Sequence, residues 1–510
     1  MSAGEERAIP LSAVETDWRR LDPRMLLVHP VQTAIQALPA LIGALLIRRS
    51  QGSEGYWVEA AILAIVVGIG VLRYLTTRFR IHNGQIELRS GVFTKQVIAT
   101  PADRVRTVDV TAPVFHRLLG LAKVEIGTAG AARHGLVLDA LPMAEARRLR
   151  EELIHHRSLT PAPPDGMSGA TGGGSPEPLP PAETTLLTLD LGWVRFAPLT
   201  RTGLVSALAL LALGFQWVQR YFQAGEIRNG LRNLTRQPMW VDVVALLGGL
   251  AVAVCVLAVV GYVLQFWQFR LTRHSGGTLH VARGLLTTRA TSIEEKRIRG
   301  VEVGEQLLLR SAGGGRLGAI TTGLSRREDD RGSALLVPPA PRETVLHVAA
   351  EVVGDREALA APLRQHGPAA RRRRYVRAVV PALVLAAGAL WVALAQEWTG
   401  WVAAAAAVVL VISPFLARDR YAGLGHYLSA VHLVVRSGSL TRRRDLLRRD
   451  GVIGFTIRET FFQRRAGLSS LSATTAAGRQ HYTAYDIPRG EAVSLAHAVD
   501  PGLLGQFLAS

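Results

Sequence analysis

The chain has 510 residues, more than one ordinary domain holds, so two to four units are expected. A single cysteine, Cys255, excludes an intrachain disulfide framework and a cysteine-based zinc site. The formal net charge of +19 fits nucleic acid or an anionic membrane surface, and the gathering of apolar residues into six runs selects the membrane.

In chain order, residues 1–25 form a polar tail carrying Glu5, Glu6, Glu15 and Asp17, without the cleavable apolar core of a secretory signal. The first span is therefore expected to act as an uncleaved anchor. Two apolar runs, Leu26–Ile47 and Trp57–Leu75, predict a transmembrane hairpin over 26–75. A first strand-rich unit follows over 76–157 and closes in "MAEARRLREELIHH", whose Ala146, Leu149 and Leu153 form one helical stripe. Residues 158–190 read as a disordered Pro/Gly linker. A second hairpin spans 191–267, with runs Leu199–Val218 and Val241–Trp267 and with Trp193 and Phe196 at headgroup level. The second unit covers 268–365, its closing helix expected near Glu357–Gln365. A basic linker, 366–375, carries Arg371, Arg372, Arg373 and Arg374 ahead of the third hairpin, 376–417, built from Val376–Ala395 and Trp401–Leu416. The third unit occupies 418–508. Arginines crowd the flanks that face both termini and the inter-hairpin units, which places those parts in the cytoplasm of a multi-pass cell-membrane protein.

The three units are copies. "IELRSGVFTKQ", "LHVARGLLTTR" and "LVVRSGSLTRR" align without a gap, and the alignment continues. Gly91, Gly284 and Gly438 coincide, as do Thr94, Thr287 and Thr441; Arg117, Arg310 and Arg464; Gly120, Gly313 and Gly467; and Thr128, Thr321 and Thr475. Apolar residues alternate at Ile86 and Leu88 and at Val108 and Val110, the period of half-buried strands. The first glycine of each set reads as a hairpin turn. "RRRDLLRRD" (Arg442–Asp450) reads as a solvated edge.

The pattern G-[VL]-[FL]-T … R-[VI]-x-x-V-x-V … R-x-x-G-L, met best by the first copy, resembles the bacterial pleckstrin-homology (PH-like) domain family of membrane proteins, specifically its YdbT-like members. The second copy has Gly314 where the first has Leu121, and the third has Gly451 in place of Arg104. The resemblance implies an α+β membrane protein: six transmembrane helices in three hairpins, each followed by a PH-like antiparallel β-barrel or sandwich unit with a C-terminal helix.

Chemistry is harder to find. "AGGGRLG" (Ala312–Gly318) lacks the Lys-Ser/Thr ending of a phosphate loop, and no zinc-protease or nucleophile-elbow motif occurs. Acidic residues are nearly absent from the spans, against an ion-coupled pathway. No catalytic, metal or cofactor site is expected, and no cofactor. The candidates for contact with an anion or lipid are the repeated arginines Arg104, Arg117, Arg297, Arg310 and Arg464 and the run Arg371–Arg374, because guanidinium forks match phosphate and carboxylate. The expected partners are the bilayer, with anionic inner-leaflet lipid, and a membrane or cytoplasmic protein; nucleic acid is not expected. These readings favour a non-enzymatic binding or scaffolding protein at the inner leaflet, with a component of lipid or amphiphile transport or export as the alternative.

Overall fold

The structure, a computed structural model, describes residues 18–26, 68, 71–72, 74–82, 85–90, 96–101, 105–128, 136–155, 183–200, 203, 239–274, 276–322, 335–395 and 400–502. In the first copy the elements are β1 (Arg19–Arg20), β2 (Arg78–His82), β3 (Gln85–Ser90), β4 (Gln96–Pro101), β5 (Val105–Ala112), α1 (Val114–Leu118), β6 (Leu121–Thr128), β7 (Leu136–Pro142) and α2 (Met143–His155). The second has β8 (Glu183–Thr188), α3 (Met239–Phe266), β9 (Arg270–His274), β10 (Thr278–Arg283), β11 (Thr288–Glu294), β12 (Ile298–Gln306), α4 (Leu307–Ser311), β13 (Gly314–Thr321), β14 (Leu335–Pro341), α5 (Arg342–Val353) and α6 (Arg356–Ala360). The third has α7 (Gly367–Ala395), α8 (Gly400–Ala422), β15 (Gly425–Leu428), β16 (His432–Ser437), β17 (Thr441–Arg448), β18 (Val452–Arg458), α9 (Phe461–Arg465), β19 (Leu468–Thr475), β20 (His481–Pro488) and α10 (Arg489–Val499).

Three helices among the described residues are long and apolar enough to cross a membrane: Gly248–Phe266, Gly367–Ala395 and Val402–Ala422. Most of the first, second and third predicted spans lies outside the described residues. So do residues 158–182 of the predicted linker and the charged loop "SRREDDRGS". The rest of that linker, 183–190, is not disordered: Glu183–Thr188 forms β8, an edge strand paired through its backbone to the second copy. The helix that closes the second copy is α5, whose Val345, Val348 and Ala349 are buried. It lies upstream of the Glu357–Gln365 expectation because Gly354, in the left-handed region at φ 75°, ends it and α6 restarts the chain from an Asp355 cap.

Two compact units share the chain: Met1–Thr185 with Gln268–Glu294 and Gly323–Arg327, and Leu186–Trp267 with Glu295–Thr322 and Glu328–Ser510. In the first, β1–β4 form one antiparallel sheet and β7-β6-β5-β11-β10-β9-β8 a second. Phe79, Ile86 and Leu88 of the first sheet share a core with Val108, Val124, Leu138 and Leu149. In the second unit the order is β14-β13-β12-β17-β16-β15, beside a separate β18-β19-β20 sheet closed by α10. Alternating Leu471, Ala473, Tyr482 and Ala484 bury there against Leu495 and Val499. The half-buried period read from the sequence thus has a packing cause, at about 1.5–3 kcal/mol for each large side chain removed from water.

The copies join through their sheets. Strand β5 of the first copy pairs with β11 of the second, Ala112 opposite Thr288 and Val110 opposite Ala290. Strand β12 of the second pairs with β17 of the third, Glu305 opposite Arg442 and Val303 opposite Arg444. Under the repeat alignment these two registers are the same. The segment "RRRDLLRRD" is therefore an interior strand and not the solvated edge its charges suggest. Its cations are absorbed locally: Arg442 by Asp419 at 2.9 Å, Arg443 by Glu302 at 3.4 Å, and Arg444 by the carbonyls of Ala358 and Ala361 at 3.1 Å each. Asp445, buried opposite Glu302, accepts from Arg479 through both oxygens at 2.8 Å. Burial and the Glu302 charge push its carboxyl up, and Arg479 opposes them.

The repeated turn glycines earn their identity here. At Gly284 and Gly438 φ is 106° and 100°, and a Cβ would lie 2.0 Å from the carbonyl oxygens of Thr287 and Thr441. Gly91 lies outside the described residues.

A strand or bridge from ahead of each predicted hairpin pairs with the strand that follows it. Arg19 and Arg20 pair with Phe79 and Arg78. Thr184 of β8 donates to the Arg273 carbonyl of β9 at 3.2 Å. Arg364 bridges to His426 of β15.

Candidate functional site: a basic pocket at the foot of the third hairpin

A cavity of about 660 Å³ opens where α7 and α8 meet the third copy. It lies under the turn Gly438–Leu440 and against β18, β19, β20 and the start of α9. Five arginines line it: Arg373, Arg374 and Arg377 from α7, Arg420 from α8 and Arg458 from β18. The run "RRRR" thus belongs to the helix and not to a linker ahead of it. Helical spacing turns Arg373, Arg374 and Arg377 toward the pocket side of the first turns. Arg371 and Arg372 are exposed, with Arg371 5.9 Å from the Tyr375 ring.

The pocket is built around a buried carboxylate. Asp486 is fully buried and sits in the left-handed region at φ 58°, a conformation aspartate tolerates better than most residues. Arg373 pairs with its Oδ1 and Arg374 with Oδ2 at 2.6 Å. Gln463 Nε2 donates to Oδ1 at 2.8 Å. Gln463 is itself fixed: its Oε1 accepts from the Thr460 backbone N–H at 3.0 Å, closing a capping box on α9, and its amide also donates to Ser470 Oγ at 2.8 Å. Two guanidiniums and one amide converge on one carboxylate, which offsets the desolvation that a lone buried charge would suffer. Arg377, Arg420 and Arg458 have no hydrogen-bond or ion-pair partner among the described residues, so the pocket keeps an excess of positive charge.

The neighbouring end of α8 is equally organised. Asp419 accepts from Arg310 at 2.7 Å, Arg442 at 2.9 Å and Ser439 Oγ at 2.9 Å. Arg436 donates to the carbonyls of Ala422 and Leu424 at 2.9 and 3.4 Å, satisfying the helix end. Behind α7, His366 Nδ1 contacts the Tyr485 carbonyl at 2.7 Å and its Nε2 meets His426 Nδ1 at 3.1 Å. His426 Nε2 lies 3.5 Å from Glu491, which also pairs with Arg364. Burial, followed by the His366 and Arg364 charges, pushes His426 down to about 4.

The sequence candidates scatter. Arg117 donates to the Leu285 carbonyl, just past the Gly284 turn of the next copy. Arg310 makes the equivalent contact with the Ser439 carbonyl at 3.5 Å besides its pair with Asp419. Arg464 is exposed on α9. Arg297 is half-buried in a 3-10 turn between β11 and β12. Arg104 lies outside the described residues. Of the candidates, Arg373 and Arg374 alone line the pocket.

Sequence reasoning missed Asp486 and Gln463. The repeat held a signal for both. Asp139 and His116 stand at the same alignment positions in the first copy and are joined there at 3.1 Å. Leu309 takes the His116 position in the second copy and is buried. No group of three or more metal-ligating side chains occurs among the described residues.

Comparison with known proteins agrees with this architecture. The family model described as "Bacterial PH domain" matches residues 34–157 and 376–500. The second copy, between these regions, joins the other two by the same strand register. UPF0699 transmembrane protein YdbS of Bacillus subtilis (strain 168) is 30% identical over 104 residues, 20% of this chain and 63% of YdbS. UPF0699 transmembrane protein YdbT of the same organism is 23% identical over 94 residues, 18% of this chain and 19% of YdbT. No solved structure matches. The chain is a membrane protein that carries bacterial PH domains, of the YdbT-like kind.

Proposed function

We propose that the chain is a non-enzymatic, multi-pass protein of the bacterial cell membrane. Its PH-like copies lie on the cytoplasmic side as a scaffold, and the third holds an anionic headgroup at the inner leaflet. The observation that carries this reading is the set Arg377, Arg420 and Arg458, around the cavity at the foot of α7 and α8 and without a protein acceptor among the described residues. From Ala378 to Ala395 the first of these helices rises roughly 27 Å, close to the ~30 Å hydrocarbon core. A headgroup phosphate in the pocket would leave its chains beside exposed Val380, Leu383 and Val384. The three tied hairpin feet support six spans in three hairpins, since a segment whose two ends are hydrogen-bonded together begins and ends on one side.

The test uses the full chain in nanodiscs of phosphatidylcholine with or without phosphatidylglycerol, with retained lipid counted by native mass spectrometry. Parent protein is expected to keep phosphatidylglycerol preferentially. The triple variant Arg377→Ala, Arg420→Ala, Arg458→Ala should bind it on the order of 100-fold more weakly, at about 1 kcal/mol per juxtamembrane cation. Equal retention of the two lipids by the parent would remove the headgroup from the proposal.

A further inference from the structure

Among the described residues, two strands stand at junction positions without a junction. Strand β4 corresponds to β11 and β17, and β18 corresponds to β5 and β12. The pairs β5–β11 and β12–β17 are formed in one shared register. Among the described residues β4 pairs with β3 alone and β18 with β19 alone. The burial differs accordingly. Val110 and Val303 are 6% and 2% exposed at the formed junctions, whereas their counterpart Ile457 is 39% exposed. Val97, on the open face of β4, is 56% exposed. Beside β18, Phe461 and Phe462 of α9 are 63% and 72% exposed, more than their counterparts Leu307 and Leu308 at 40% and 42%. The repeated arginine follows the same rule. Arg117 and Arg310 reach the carbonyls of Leu285 and Ser439 in the following copy. Arg464, in the third copy, makes no side-chain hydrogen bond among the described residues. Long unpaired strand edges are templates for pairing, and this chain holds both halves of one more junction.

We propose that β18 of one chain pairs with β4 of a second copy of the same chain, in the register of the two internal junctions. Carrying that register across sets Ile457 opposite Val97, Thr456 opposite Ile98 and Gly454 opposite Thr100. The occupant is a second copy because both open halves fit a register this chain already forms twice. Each added junction leaves one open half at either end, so the pairing is head to tail.

Disulfide trapping in membranes tests the register. Full-length chains lacking the native thiol (Cys255→Ser) carry either Val97→Cys or Ile457→Cys, each with its own tag, and are co-expressed and oxidised. Facing residues of an antiparallel pair have Cα atoms about 4.5–5.5 Å apart, within disulfide range. A mixed dimer carrying both tags, at twice 55.0 kDa, is expected when both variants are present. Neither variant alone should form it. Pairing Val97→Cys with Thr456→Cys, which faces the other side of the sheet, should cut the yield at least tenfold. Adding Ile457→Glu to the cysteine-free chain should shift native mass toward monomer while leaving thermal unfolding unchanged. Absence of the mixed dimer, with both thiols labelled by maleimide, overturns the proposal. So does a doubly substituted chain that closes only on itself, or equal yields from the two registers.

Discussion

Asp486 is the residue on which the pocket turns. Two arginines and Gln463 are oriented by its carboxylate, and the Asp486→Ala change removes the buried acceptor that all three share. Breaking a buried pair in this way costs about 3–5 kcal/mol. Asp486→Asn keeps an acceptor and a side chain suited to positive φ, so it should cost less. Thermal unfolding of the detergent-solubilised chain is expected to rank parent above Asn above Ala, and an Ala variant as stable as the parent would show that the network contributes nothing. The sequence displayed the arginines, because Arg373 and Arg374 stand in a run of four. It hid their counterion, which lies 113 residues away from Arg373 on strand β20. It likewise showed that Arg117, Arg310 and Arg464 repeat, without showing that the first two serve the junctions between copies.

Elements of the third copy meet at His426. This residue joins β15 to the Arg364 bridge, to His366 ahead of α7 and to Glu491 of α10. Its pKa is about 4 folded against about 6.5 for an ordinary histidine. Between those values the unfolded chain binds the proton and the folded chain does not, so stability falls as pH drops from about 6.5 toward 4. The loss is about 3 kcal/mol if the shift is fully expressed. The raised Asp445 works in the opposite direction, so the comparison must be with a variant. His426→Gln should lose less melting temperature than the parent between pH 7 and pH 5, and equal losses would discard the assignment. At this scale the alternation of apolar residues, the turn glycines and the three-fold copy were readable, because they are local or periodic. The interior position of β17 was not, because Arg442 and Arg443 are neutralised by Asp419 and Glu302 from other elements, and Arg444 is held by carbonyls of α6 and the residue after it.

For the whole molecule, arginine bias predicts an orientation that accessibility labelling can check. In the Cys255→Ser background, Gly400→Cys at the far end of the third hairpin should react with a membrane-impermeant maleimide on intact cells. Arg449→Cys, between β17 and β18, should react only after permeabilisation. Labelling of both from outside would put the copies on the wrong face of the bilayer. The Arg364–His426 bridge also sets an order for synthesis. A ribosome adding about 5–20 residues per second needs several seconds to travel from one partner to the other. During that interval both long apolar helices, α7 and α8, leave the ribosome, so the sheet that holds β15 is completed only after the two helices have been made.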